Sequence, residues 1–453
     1  MEKTFFSRRT FLKKTTTSLA GMAAVSAGAS SVYANAVKKA DKPAILGGTP
    51  VRTKPIDGKW PVYEDSDVKM YLDAFHKGRW SEMGNNKTDS VCEFEKKYAE
   101  LMDTDYCVAT MNGTTSLFAS LNALGIGPGD EVIVGPYTFI ASINAILLCY
   151  ALPVFVDTDP ETFMINADLI ENRITEQTRA ILPVHIGGGA ADMDKILKIS
   201  NKYKIPVVED TCQAWLGEWR NKKLGSLGDM GCFSFQASKN LCCGEGGAII
   251  GNDELLMNKC RAFRSYGMDP KRKEGYPGAN LRITPFQVAI LMGQMRSLEE
   301  QQTYRSKNAE YLDKLLENIP GVSPHKNYSG QTRHAYHRYF IRYNKEYFNN
   351  LSRSKFIKAL GAEGISTRPM YGTMPLNKQP FMEYHLSSRA FKSVFSEKRL
   401  NKYRKENNCP ENDKICEETG LIMKQTVLLA EKNDMEDIAE AIAKIQKNSA
   451  KLL

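Results

Sequence analysis

Between residues 106 and 251 the chain alternates short β-branched or apolar runs with segments of helical length, and this alternation restricts the fold more than any other feature. Residues 107–110 lead into 114–124, 131–134 into 138–150, and 153–156 into 167–174. Residues 179–184 precede a helix over 192–203, and 205–209 follow it. Strands joined by helical crossovers run parallel and need cover on both faces, so the pattern predicts an α/β fold built on a mostly parallel sheet. Ligands of such sheets bind at the carboxyl ends of the strands, which makes the residues just past each strand the candidates for chemistry.

Residues 230–252 place Lys239 between an apolar run ending at Ser234-Phe235 and the turn Gly244-Glu245-Gly246-Gly247, which opens a second apolar run. Burial disfavours the charged form of a lysine, and a neutral amine attacks carbonyls or holds a cofactor as an imine. The window alone fits a solvated hairpin lysine equally well. Upstream, Met111-Asn112-Gly113-Thr114-Thr115-Ser116 sets glycine and hydroxyl residues at a helix N-terminus, where free N–H groups and the helix dipole suit a phosphate. Ser and Thr there also fit an ordinary N-cap. The run 205–209 delivers Asp210 to the sheet edge, 29 residues before Lys239. A carboxylate in that place pairs with a pyridinium nitrogen and lets the ring act as an electron sink. Phosphate cup, strand-end aspartate and imine lysine are together what pyridoxal 5′-phosphate (PLP) requires.

The 453 residues, 42% hydrophobic and 25% charged, suffice for a large globular domain with a smaller companion. Residues 1–36 carry five basic side chains against one acidic, leaving +5 of the net +9 for the rest, which does not suggest nucleic acid. Ser7-Arg8-Arg9-Thr10-Phe11-Leu12 is a twin-arginine pattern, and an uncharged run follows it to the small-x-small site Ala34-Asn35-Ala36. Residues 1–36 therefore read as a signal peptide, and the mature chain as exported, periplasmic or otherwise extracytoplasmic, with no membrane span. The ten cysteines show neither a disulfide framework nor paired CxxC motifs, and Cys242-Cys243 read as core. The six histidines lack metal spacing, and His185 reads as structural. Gly187-Gly188-Gly189 is similar to an oxyanion loop, yet no GxSxG elbow accompanies it.

Residues 37–65 read as linker and extended arm, 66–300 as the large domain, and 301–453 as a smaller α+β domain with a polar surface insertion near 387–412. Within this division a helix over 286–299 closes the large domain, a new pattern starts near Lys307, and the last helix begins near Asn433-Asp434.

Taken jointly, these residues resemble the DegT/StrS-type family of PLP-dependent aminotransferases, known for amino-sugar and aminocyclitol biosynthesis. The likeness runs from Pro43 to near Lys447 and is carried by Ala44-Ile45-Leu46-Gly47-Gly48-Thr49-Pro50, Gly125-Ile126-Gly127-Pro128-Gly129-Asp130, Glu209-Asp210-Thr211-Cys212-Gln213-Ala214 and Ser238-Lys239-Asn240-Leu241. It implies PLP fold type I, aspartate-aminotransferase-like, with a mixed, mostly parallel sheet. It further implies that Lys239 forms the imine and then moves the proton. Gly113, Thr114 and Thr115 with Ser234 would hold the phosphate, Phe139 would stack on the ring, and Asp210 and Gln213 would meet its nitrogen and 3-oxygen. Asn280 would reach the neighbouring subunit's phosphate, so the resemblance implies a homodimer with shared sites. Phe139 also fits plain core, Gln213 a helix-start polar group and Ser234 a strand hydroxyl.

The resemblance implies transfer of an amino group from glutamine or glutamate to a keto-sugar or keto-cyclitol. Relatives acting on nucleotide-linked sugars often have histidine where this chain has Asn377, and the segments around Cys409 and Gln425 look more like members acting on free cyclitols or simple keto-sugars. Two alternatives are a non-catalytic PLP-fold sensor and a PLP-dependent sugar dehydratase, the latter carrying histidine in place of Lys239. An extracellular hydrolase lacks a nucleophile, base and orienter set.

Overall fold

The computed structural model describes residues 42–56, 58–81, 90–268, 277–369 and 374–453. The signal peptide read from residues 1–36 and nearly all of the following linker lie outside the described residues.

After helices α1 (Asp65–His76) and α2 (Ser90–Leu101), strand β1 (Tyr106–Thr110) feeds α3 (Gly113–Ala123), and β2 (Glu131–Val134) feeds α4 (Ile140–Leu148). Then come β3 (Leu152–Phe155), β4 (Thr178–Leu182), α5 (Met193–Tyr203) and β5 (Val208–Asp210). Residues 167–174, expected as a helix, form two 3-10 turns instead, Ala167–Leu169 and Glu171–Arg173. The short β6 (Glu218–Trp219) and β7 (Lys222–Lys223) precede β8 (Met230–Ser234) and β9 (Gly247–Gly251). Strands β3-β2-β4 pair in parallel, and β1-β9-β8-β5 form a second group. Parallel bridges Ile181↔Val207 and Val184↔Asp210 join the two groups edge to edge. Strand β9 runs against both its neighbours, so the sheet is mixed. The cause is local: a hairpin joins β8 to β9, whereas helical crossovers carry the earlier strands. That hairpin holds Lys239.

Helix α6 (Glu254–Arg264) is followed by α7 (Pro285–Leu316), 32 residues long, with Pro285 at its first position and a capping box between Thr284 and Gln287. The sequence reading sets a domain boundary at residue 300, and α7 runs through that point unbroken. Gln301, Gln302, Arg305 and Asn308 interrupt the apolar pattern there, yet all four are buried. Gln302 donates to the His334 carbonyl, Asn308 to those of Leu428 and Ala430, and Arg305 Nε to Gln425 Oε1 at 2.8 Å. Buried polar groups with partners are compatible with a continuous helix that hydropathy alone would end.

The smaller lobe centres on an antiparallel sheet of β10 (Val322–Pro324), β12 (Arg338–Tyr343) and β13 (Gly420–Lys424), while β11 (Gln331–Arg333) returns to pair with β6. Helices α8 (Arg353–Ala362) and α13 (Lys432–Lys447) pack on this sheet through residues such as Phe356, Ile438, Ile442 and Ile445.

The polar stretch 387–412, expected as a surface insertion, is helical and docked. Helices α9 (Pro380–Ser387), α10 (Arg389–Val394), α11 (Glu397–Glu406) and α12 (Pro410–Lys414) pack Phe391, Phe395, Leu400, Tyr403 and Cys409 into the core of the large sheet. Arg399 pairs with buried Glu131 of β2, and Tyr403 donates to the Pro153 carbonyl of β3 at 2.7 Å. A few apolar side chains on one face of very polar helices carry this docking, which average composition conceals. Tyr403→Phe would leave the Pro153 oxygen unpaired in the core, and denaturant unfolding should register a loss of about 1–2 kcal/mol.

Candidate active site

Lys239 lies in the β8–β9 hairpin, whose loop is closed by Phe235 N–H to the Gly246 carbonyl, Ala237 to Gly244 and Cys243 to Phe235. Trp60, from the N-terminal arm, donates its indole N–H to the Ala237 carbonyl at 2.8 Å and holds the loop from outside. The Lys239 Nζ sits 5.8 Å from the centroid of the Trp215 ring. Although the residue as a whole is only partly covered, burial of its ammonium pulls the pKa down to about 8, with Arg338 pushing the same way and Cys212 and Asp210 opposing. At pH 7 roughly one amine in ten is then neutral, several hundred times the share of an ordinary lysine. Capture of added PLP by the apoprotein should therefore quicken about tenfold from pH 7 to 9 and then level off. Stopped-flow absorbance tests this; a rate still climbing steeply past pH 10 would show an unperturbed amine.

Asp210 ends β5 beside this amine and is 5% exposed. Its Oδ2 accepts from Ser142 Oγ at 2.6 Å and its Oδ1 from the Cys212 N–H at 3.1 Å. Sequence reasoning passed over Ser142. Its signal was the pair Thr138 and Ser142, four residues apart and so on one face of a helix start.

At the end of β1, Asn112 caps α3, accepting from Thr115 N–H at 2.9 Å, while Thr115 Oγ1 donates to the Asn112 carbonyl. The Thr115 hydroxyl hydrogen is thus spent on the cap. Among the described residues, the N–H groups of Gly113 and Thr114 and the Thr114 hydroxyl have no hydrogen-bond partner. Gly113 is packed so closely that a Cβ would stand 2.7 Å from Ser234 Cβ and 2.8 Å from Cys212 Sγ. The turn, the β8 end and the β5 end therefore meet at one point, where only glycine fits.

Phe139, the N-cap of α4, is 52% exposed, which rules out plain core. Gln213 is buried, and its Oε1 accepts from Gly187 N–H at 3.0 Å. The amides of Gly188 and Gly189 bond to His185 and Ile186 carbonyls, so the glycine triplet offers no oxyanion hole. The Ala191 N–H donates to His185 Nδ1, which puts the ring proton on Nε2, 2.9 Å from Glu209. Glu209 also accepts from the amides of Gly225, Leu227 and Gly228, so this pair organises a loop. Asn280 stands apart in an exposed bridge to Ser265, and no hydrogen bond ties it to the cluster around Lys239. Asn377 is buried, bonded to the Asn407 carbonyl and to Asn412, where it ties the helical insertion together. Among the described residues no group of His, Cys, Asp and Glu is placed to hold a metal, and no helix is long and apolar enough to cross a membrane.

The residues present fit PLP: a desolvated amine, a carboxylate facing only donors, and free N–H groups at a helix start. Comparison with known proteins points the same way. Residues 63–402 match the model of the DegT/DnrJ/EryC1/StrS aminotransferase family. The chain is 40% identical over 288 residues to GDP-perosamine synthase of Caulobacter vibrioides, covering 63% of this chain and 76% of that protein. It is 33% identical over 427 residues to L-glutamine:2-deoxy-scyllo-inosose aminotransferase of Streptomyces fradiae, covering 90% and 98%. Among solved structures, that of 3-amino-5-hydroxybenzoic acid synthase superposes with a TM-score of 0.75 at 28% identity, over 87% of this chain and 99% of that one.

Proposed function

The chain belongs to the DegT/DnrJ/EryC1/StrS aminotransferase family and is a PLP-dependent transaminase of fold type I, and from this we propose that it moves an amino group from glutamine or glutamate to a keto-cyclitol or keto-sugar. The observation that carries the reading is the convergence of Lys239, Asp210 and the Gly113-Thr114 turn from three separate segments. Similarity over nearly the whole length to the scyllo-inosose aminotransferase supports a cyclitol ketone over a nucleotide-linked sugar.

In this reading the Gly113 and Thr114 N–H groups and the Thr114 hydroxyl hold the phosphate, with Ser234 closing the cup and Thr115 supporting it as a cap. Phe139 covers the ring, Asp210 meets its nitrogen and Gln213 its 3-oxygen. Bound PLP supplies a pyridine ring that draws electrons from the substrate carbon. Lys239 Nζ anchors the cofactor and, once displaced, takes the proton from the donor's Cα and later returns one at the acceptor carbon. A pKa of about 8 suits both duties near neutral pH, because the group both gives and takes a proton without a large penalty.

The exposed Phe139 and Asn280 support a homodimer in which Asn280 serves the partner's phosphate. The exposed Phe75 and Trp80, stacked on each other at 5.2 Å with Phe286 5.8 Å from the Trp80 ring, support a covered face there. Sedimentation velocity returning a monomer at micromolar concentration would overturn this. The Arg8-Arg9 signal supports export, which fractionation of a culture tests. For the reaction itself, the PLP-loaded protein should transfer nitrogen from glutamine to scyllo-inosose-type ketones. Intact PLP binding with no transfer to any keto-cyclitol or keto-sugar would favour a binding role instead.

A further inference from the structure

We propose that Ser142, held in turn by Thr138, is a positioning residue that fixes Asp210 against the pyridine nitrogen of PLP. The inference rests on the cofactor placement proposed above.

Thr138 and Ser142 flank the start of α4 and are each 1% exposed. Ser142 Oγ donates its single hydrogen to Asp210 Oδ2 at 2.6 Å, so the 2.8 Å contact between the two hydroxyls has Thr138 as donor. The chain of donors is therefore Thr138 to Ser142 to Asp210. On the other side, the Cys212 N–H takes Oδ1. The Asp210 backbone is already pinned by the sheet, its N–H to the Pro183 carbonyl at 2.9 Å and its carbonyl to the His185 N–H at 3.0 Å. What the sheet leaves free is rotation of the carboxylate, and Ser142 and the Cys212 amide stop it from two directions. A short hydroxyl-to-carboxylate bond in a water-poor site belongs to the stronger class of hydrogen bonds. The same turn carries Phe139, so the residue covering the ring and the residue orienting the carboxylate move as one unit.

Ser142→Ala should raise the dissociation constant of PLP about tenfold to a hundredfold, the worth of a hydrogen bond to a charged group. The visible absorption band of the lysine-bound cofactor should shift, because the ring nitrogen loses its fixed partner. With the substrates saturating, kcat should fall more than KM rises. Ser142→Thr keeps the hydroxyl and should restore affinity and band to within about threefold. Thr138→Val should produce a smaller change in the same direction, and it carries the test alone if S142A does not fold. A hydroxyl pair that merely stabilised the turn would alter unfolding and leave the band in place. S142A with wild-type PLP affinity and an unshifted band overturns the proposal, as does S142T behaving like S142A. If PLP affinity and the band respond as expected while the wild type aminates no ketone, the proposed reaction fails and this inference stands.

Discussion

Lys239→Ala is expected to lower turnover on the order of 10⁵-fold, comparable to removing the nucleophile of other covalent catalysts. The argument is geometric before it is chemical. Among the described residues, Lys239 is the one lysine whose pKa is pulled down, to about 8, by burial. In the proposed roles, alanine at this position removes the covalent anchor and the proton carrier in one change. The phosphate turn and Asp210 remain, so the variant should still bind PLP, but reversibly, and dialysis should strip it. Lys239→Arg should fare no better, since a guanidinium stays protonated and forms no such linkage. Turnover within a hundredfold of wild type, or a visible band surviving dialysis, would place the chemistry on another residue.

The second large effect concerns stability and lies far from the chemistry. Lys444, on α13, donates to Glu363 Oε2 at 2.9 Å and to the Thr49 carbonyl at 2.6 Å. Glu363 is fully buried and also accepts from the amides of Ala44 at 2.8 Å and Val51 at 3.0 Å. The carboxylate thus gathers the N-terminal arm, the end of α8 and the last long helix at one buried point. Lys444→Met leaves that charge without its counter-ion, and removing one partner of a buried pair costs about 3–5 kcal/mol. Urea unfolding should show it as a lower midpoint with little change in slope. Because the pair is shielded from solvent, raising salt to molar levels should not reproduce the loss. A change below about 1 kcal/mol would mean that the site rehydrates instead.

Much of the fold was legible because the alternation of β-branched runs with helical segments reflects how a parallel sheet is connected; Asp210 stands at a strand end that this pattern locates, and Lys239 in the hairpin between two apolar runs. The places where the structure adds to the sequence reading share one physical cause. Hydropathy measures average polarity, whereas burial depends on whether each polar group finds a partner. Gln301, Gln302 and Arg305 look like a break in a helix until their distant partners are known, the His334 carbonyl for Gln302 and Gln425 for Arg305. Residues 387–412 look like solvent-exposed chain until Leu400 and Tyr403 are seen to reach the sheet. In the site, the Gly113 turn was legible from residue type, but its nearness to Ser234 and Cys212 arises from long-range pairing that one dimension does not display. Ser142 was missed because serine in a helix is common, and only its distance to Asp210 distinguishes it.

The long helix α7 contributes Val288, Leu291 and Leu298 to one apolar cluster and Ala309, Leu312 and Leu315 to another. The two lobes therefore share a structural member, and neither owns a complete interior without it. A gene cut anywhere along this helix strands half of its apolar face, so the lobes cannot be exchanged between relatives as interchangeable cassettes. The spine has to be inherited whole.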